Sequence, residues 1–182
     1  MQCQKLNDNI GISIDLPYST VMEIPSTEWK KLLHKHKLLV FKNYTDLSPV
    51  DITNFSKKFG IPWSMENYAY TKENSFLDEN GVAYTVYNNT NYKKLTEEIP
   101  WHTDIANEPN LKRYPMRLLY CKNLPSHYEG LTTDVSNLVM AYNDLSESEK
   151  DFFSRLTLTY QSWSYPGTNI KDFPAIETHP VT

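Results

Sequence analysis

The fold of this chain is indicated first by one stretch, Leu38-Leu-Val-Phe-Lys-Asn-Tyr-Thr-Asp-Leu-Ser-Pro-Val-Asp-Ile-Thr-Asn-Phe-Ser-Lys-Lys-Phe-Gly60. Its first four residues form an apolar run that predicts a buried strand, and a polar linker follows. Ser48 then predicts a helix N-cap, because Pro49 takes the first helical position and Asp51 stands three residues after the cap. The final glycine is typical of a helix end. The stretch therefore predicts a strand, a turn and a helix over 48–58.

Short strand and helix patterns continue on both sides of this stretch. Alternating or continuous apolar residues predict strands over 10–16, 82–87, 116–121 and 156–161. Apolar positions at helical spacing predict helices over 27–37, 136–144 and 147–155. The segment 164–173 is predicted to be a loop. Together these patterns predict one β-rich α+β domain over residues 1–182.

Composition excludes several classes of function. With 18 Lys+Arg against 22 Asp+Glu and no basic stripe, nucleic acid is not an expected partner. No run of 18 apolar residues exists, so no membrane span is predicted. Cys3 and Cys121 are the only cysteines and make no disulfide framework, which indicates a reducing compartment. A cytoplasmic location is the expectation.

The stretch Ile99-Pro-Trp-His-Thr-Asp-Ile105 carries the candidate chemistry. Its second half is predicted to begin a strand, in which side chains two residues apart point to the same face. His102 and Asp104 would then share a face. An imidazole and a carboxylate are two of the three ligands of the facial triad that holds non-haem Fe(II). Considered alone, the pair is also compatible with an ordinary polar strand end.

Four stretches in order make the chain resemble the taurine dioxygenase (TauD/TfdA) family of Fe(II)- and 2-oxoglutarate-dependent oxygenases. The stretches are the one over 38–60, then Trp101-His-Thr-Asp104, then Leu124-Pro-Ser with Gly130-Leu-Thr-Thr133, Ala141-Tyr142 and Leu145-Ser146, and finally Thr178-His-Pro-Val-Thr182. The resemblance extends from about residue 10 to the end of the sequence.

This resemblance implies a double-stranded β-helix, a jelly-roll-like barrel with flanking helices. It implies that His102 and Asp104 are iron ligands, and that Thr133 donates its hydroxyl to a carboxylate of 2-oxoglutarate. Thr132 is the alternative to Thr133, which is preferred because its spacing to Tyr142 matches the family better. The implied reaction couples oxidative decarboxylation of 2-oxoglutarate by O2 to oxidation of a small-molecule C–H bond.

The sequence also departs from the family pattern. Gly130-Leu131 replaces the usual pair of glycines. The family's remaining iron histidine and its 2-oxoglutarate arginine lie downstream of the Thr-His-Pro segment, and neither is found in this chain; His179 belongs to the Thr-His-Pro match itself. The expectation is therefore a fold that is incomplete at its C-terminal side. A complementary C-terminal chain or a homo-oligomer would complete it, and residues 1–182 alone are expected to bind Fe(II) weakly without turnover.

Two other functions fit the same residues. One is a non-catalytic remnant of the oxygenase fold that binds a small molecule or a complementary chain. The other is a zinc hydrolase in which His102, Asp104 and His179 hold the metal and leave the fourth position open.

Overall fold

The structure is a computed structural model, and it describes residues 3–62, 75–77, 84–86, 101–103, 116–121, 132–161 and 169–179. The chain divides into two compact units. The first unit comprises Met1–Glu98 with Leu118–Val135, and the second comprises Ile99–Arg117 with Ser136–Thr182. The prediction of a single domain over 1–182 stays a prediction.

A three-stranded sheet is the centre of the first unit. Its strands are β1 (Cys3–Lys5), β2 (Ile12–Ile14) and β3 (Leu39–Phe41), in the order β1-β2-β3. β1 pairs antiparallel with β2, whereas β2 pairs parallel with β3. Since β2 has a neighbour on each side, all three of its residues are buried. The predictions of strands within 10–16 and 38–41 are confirmed.

Two helices make the crossover that a parallel pair of strands requires. They are α1 (Tyr18–Glu23) and α2 (Ser26–His36). The core residues Ile12, Ile14, Val21, Trp29 and Phe55 come from β2, from both crossover helices and from the helix after β3. α2 confirms the helix predicted over 27–37, while α1 was not predicted from the sequence.

The helix after β3 begins as the sequence predicts. It is α3 (Pro49–Ser56), and Ser48 caps it in a capping box with Asp51. Phe55 is buried and packs edge-on against Phe41 of β3, with ring centroids 4.9 Å apart. The strand, turn and helix predicted from 38–60 are therefore confirmed, because their signals are local to the sequence.

A second pair of strands in the first unit forms a hairpin. β4 (Ser75–Leu77) pairs antiparallel with β5 (Tyr84–Val86), so the predicted strand over 82–87 is confirmed in its central residues.

The second unit has two helices and a further hairpin. The helices are α4 (Leu138–Asn143) and α5 (Glu147–Ser154), and they confirm the helices predicted over 136–144 and 147–155. The hairpin joins β6 (Thr157–Gln161) to β7 (Asn169–Pro174) in antiparallel register, with a shift between Thr159 and Gln161.

The structure contradicts the strand predicted over 116–121 and part of the loop predicted over 164–173. Residues 116–121 form no strand, because an apolar pattern becomes a strand only when a neighbour pairs with it, and none pairs with this segment among the described residues. The first half of the predicted loop over 164–173 lies outside the described residues, and its second half, 169–173, belongs to strand β7. The architecture is α+β, as predicted, with one three-stranded and two two-stranded sheets among the described residues.

Candidate functional site

His102 lies in the short described segment 101–103, which is a bend followed by irregular backbone. The predicted strand start is thus wrong for these three residues, since no described strand pairs with them. His102 is exposed, and the neighbouring Trp101 is 70% exposed. The structure thus places His102 at an exposed position on irregular backbone.

Asp104, the proposed carboxylate ligand, lies outside the described residues. The prediction that its side-chain end lies within about 5 Å of His102, as two ligands of one ion require, therefore stays a prediction. Within the described part of the chain, no group of three or more His, Cys, Asp or Glu side chains is arranged to hold a metal. The zinc alternative also needs Asp104, so it too stays a hypothesis. His179 is described and half-buried.

Thr133, the proposed 2-oxoglutarate contact, is exposed on irregular backbone that leads to α4. Thr132 is exposed in the same segment. α4 itself is capped by Asn137, whose side chain accepts a hydrogen bond from the Met140 N–H over 3.3 Å. Thr133 belongs to the first unit and His102 to the second, and their predicted closeness stays a prediction.

The arginines bear on 2-oxoglutarate binding because a guanidinium is the usual bidentate partner of a carboxylate. The Arg155 guanidinium pairs with Asp151 at 2.6 Å, and its Nε also donates to the Asp151 carbonyl oxygen over 3.2 Å. Both side chains are largely exposed, and Arg155 follows the last turn of α5. Arg155 is therefore held by its own helix. Arg113 lies outside the described residues.

The remaining exposed reactive groups are the two thiols. Cys3 and Cys121 are both free and exposed. No helix among the described residues is long and apolar enough to cross a lipid bilayer.

An α+β architecture with an accessible histidine in a Trp-His-Thr-Asp sequence is compatible with the oxygenase class that the sequence resembles. The model of the taurine catabolism dioxygenase TauD, TfdA family matches residues 2–182 of the chain. The chain therefore belongs to the TauD/TfdA family, and the resemblance drawn from the sequence is confirmed. No match was found among curated proteins or among solved structures.

Proposed function

We propose that this chain is the core of a non-haem Fe(II)/2-oxoglutarate-dependent dioxygenase that oxidises a C–H bond of a small molecule. The observation that carries the proposal is the family match over residues 2–182, which includes the Trp-His-Thr-Asp sequence. Family members generally use Fe(II), 2-oxoglutarate and O2, and act on small molecules. The double-stranded β-helix of the family is proposed for this chain on the same ground.

His102 and Asp104 are the residues proposed to hold the iron. Their donor atoms fit, because imidazole nitrogen and carboxylate oxygen are two of the ligand types of the facial triad. The exposure of His102 supports the assignment, since the ion must reach it from solvent. When bound with 2-oxoglutarate, the iron supplies the O2 chemistry that releases succinate and CO2 and oxidises the substrate.

Thr133 is proposed to orient 2-oxoglutarate. A threonine hydroxyl donates to a carboxylate in a charge-assisted hydrogen bond, which is stronger than one between neutral groups. The Thr133 side chain is exposed and makes no hydrogen bond to another of the described residues, so its hydroxyl is available to a ligand. Thr132 is the neighbouring alternative.

We further propose a cytoplasmic location and a partner chain. The free thiols of Cys3 and Cys121 support a reducing compartment. The proposed partner is a complementary chain or a second copy of this chain.

A second candidate function is a non-catalytic remnant that binds such a partner or a small molecule. It is favoured by apolar side chains that stay exposed in the second unit, among them Leu138 at 68% and Phe152 at 54%. Exposed apolar surface commonly marks an interaction site.

Metal binding separates the two candidates. Residues 1–182 are titrated with Mn²⁺, an O2-stable substitute for Fe(II), and bound metal is followed by electron paramagnetic resonance. The oxygenase core predicts one weak site that is at least ~10-fold weaker in His102→Ala and in Asp104→Asn, because even outer-shell substitutions typically cost that much. His34→Ala is the matched control, since it removes an imidazole from α2. Equal binding by all four proteins would leave only the non-catalytic candidate.

A further inference from the structure

An open cleft of about 440 Å³ lies in the first unit, where the parallel strands β2 and β3 end. Its described lining consists of residues 15–18, which follow β2, and residues 43–47, which follow β3. The volume is in the range that small-molecule sites occupy. Neither His102 nor Thr133 is among the described residues of this lining.

Two tyrosine rings in the lining are fixed in position. The Tyr44 hydroxyl donates to the carbonyl oxygen of Leu16 over 2.8 Å, and the Tyr18 hydroxyl donates to the carbonyl oxygen of Asp51 over 2.9 Å. The rings meet edge to face, with centroids 6.0 Å apart and planes at 83°. Because both hydroxyls are occupied, the rings form a preorganised aromatic corner.

The phenol of Tyr44 stays neutral near physiological pH. Burial raises the pKa of Tyr44 to about 12, and the nearby Asp15 carboxylate and Tyr18 add to the effect. Burial also raises the pKa of Tyr18. A neutral aromatic ring has a negative face, which attracts cations.

Two carboxylates in the lining give the cleft its charge. Asp15 accepts a hydrogen bond from the Asn43 side-chain amide over 2.9 Å, and Asp46 accepts one from the Thr45 hydroxyl over 3.2 Å. Neither carboxylate has a cationic partner among the described residues, and no lysine or arginine is among the described residues of the lining. An exposed carboxylate alone is simply hydrated, but here two of them flank an aromatic corner.

We propose that this cleft binds a small organic cation, with an ammonium or guanidinium group placed against Tyr18 and Tyr44 and between the carboxylates of Asp15 and Asp46. A hard metal ion is a poorer fit, because Ca²⁺ takes six to eight oxygen ligands and aromatic rings supply none. Anions are disfavoured by both carboxylates. The proposal does not rest on the iron chemistry, and its test contains no metal.

The probe is 1,5-diaminopentane, added to ¹⁵N-labelled residues 1–182 at low ionic strength and followed by amide chemical shifts. The uncharged 1,5-pentanediol and the dianion glutarate are matched in length. A saturable shift of the Asn43 and Tyr44 amides is expected with the diamine only. Equal shifts with the diol, or no saturable shift with the diamine, would overturn the proposal.

Substitutions test the assigned side chains. Asp15→Asn and Asp46→Asn remove the charge but keep an oxygen that accepts the existing hydrogen bond, so the fold is retained. Each is expected to weaken diamine binding about 2–5-fold, the size of one exposed electrostatic contact. Glu23→Gln is the matched control, because Glu23 is exposed on α1 outside the lining. Unchanged binding in both aspartate variants would refute the assignment.

Two variants at Tyr18 distinguish the contribution of the ring to binding from that of the hydroxyl. Tyr18→Phe keeps the ring and is expected to bind the diamine more tightly than Tyr18→Leu, which removes the ring and is expected to bind about 2–5-fold more weakly than the parent chain. Far-UV circular dichroism checks that each variant is folded. Equal binding by the phenylalanine and leucine variants would exclude the aromatic contact.

Discussion

The indole Nε1–H of Trp29 donates a hydrogen bond to the carbonyl oxygen of Val21 over 3.1 Å, and both residues are fully buried. This contact joins the two crossover helices at the centre of the first unit. The Trp29 ring also packs edge-on against Phe41 of β3, at 5.3 Å between centroids. One side chain thus links α1, α2 and the sheet.

Trp29→Phe is expected to lower the free energy of unfolding, because it leaves the buried Val21 carbonyl without its partner. Loss of a partner for a buried polar group costs about 1–3 kcal/mol. The measurement is urea denaturation followed by circular dichroism. Trp101→Phe is the matched control, since Trp101 is 70% exposed and the same substitution there should stay within about 0.5 kcal/mol. Equal effects at the two positions would contradict the packing role of Trp29.

Gly11→Ala is expected to destabilise the first unit. Gly11 has φ +87°, and a Cβ added there would lie 2.7 Å from Cδ1 of Leu6 and 3.3 Å from Cδ2 of Leu38. Its N–H also donates to the His36 carbonyl oxygen over 2.9 Å, so the backbone cannot easily relax. We expect a loss of about 1–3 kcal/mol in unfolding free energy, from backbone strain and overpacking together.

Gly60→Ala is the control for that substitution. Among the described residues, a Cβ at Gly60 would meet no atom within 4 Å apart from its chain neighbours, and this glycine has no positive φ. Its unfolding free energy should change by less than about 0.5 kcal/mol. If both alanine variants unfold at the same urea concentration, the bend at Gly11 is not a constraint on the fold.

Ser48→Ala is expected to raise the pKa of Asp51. The Ser48 hydroxyl donates to Asp51 Oδ2 over 2.6 Å and the Ser48 N–H donates to the same oxygen over 2.9 Å, and these bonds hold the pKa of Asp51 below its ordinary value. Because the folded-state pKa is lowered, the stabilisation is complete above the unfolded-state pKa. It is lost as the pH falls through the lower, folded-state pKa.

The measurement for that prediction is an NMR titration of the Asp51 carboxyl carbon. In Ser48→Ala the pKa of Asp51 should move upward toward its ordinary value. The free energy of unfolding should then depend less steeply on pH under acidic conditions. Ser48→Thr is the control, because it keeps a capping hydroxyl. An Asp51 titration that is identical in the alanine and threonine variants would exclude the capping box as the cause.

Elements with local signals were predictable from the sequence, and those formed by distant pairing were not. The helix start predicted at Ser48 is a capping box contained within four residues, and it is confirmed. The helix predicted over 147–155 also begins with a capping box, at Ser146. Strand β7 was missed because Asn169, Asp172 and Pro174 have poor strand propensity, and only the pairing with β6 makes them a strand. The opposite error occurred at 116–121, where the residues suit a strand but no described strand pairs with them.

The candidate site shows the same difference between what local sequence signals predict and what they do not. The chemistry of His102 follows from its residue type and its place in the Trp-His-Thr-Asp sequence, which the family match supports. The local geometry of His102 differs from the sequence prediction, because residues 101–103 do not form a strand. A shared face for His102 and Asp104 stays a prediction, because Asp104 lies outside the described residues.

Thr133→Val is expected to weaken 2-oxoglutarate binding to the Mn²⁺-loaded chain. The substitution keeps the shape and removes the hydroxyl, so one hydrogen bond to a charged group is lost. Such a bond is worth about 1.5–3 kcal/mol, which corresponds to roughly 10-fold or more in affinity. Line broadening of the 2-oxoglutarate proton resonances by the metal measures binding. Thr132→Val is the matched control, and a larger effect there would transfer the role to Thr132.

The last prediction concerns turnover by a polypeptide of residues 1–182, and it follows from its donor groups. The proposed ligands give one imidazole and one carboxylate, whereas the facial triad needs two histidines. Arg113, Arg117 and Arg155 do not match the position of the family's 2-oxoglutarate arginine. This polypeptide should therefore bind Fe(II) weakly and form no succinate from 2-oxoglutarate under air with ascorbate. A chain that supplies the second histidine and the arginine should restore both. Succinate formed by residues 1–182 alone, and lost in His102→Ala, would instead mean that another histidine of these residues, such as His179, completes the site.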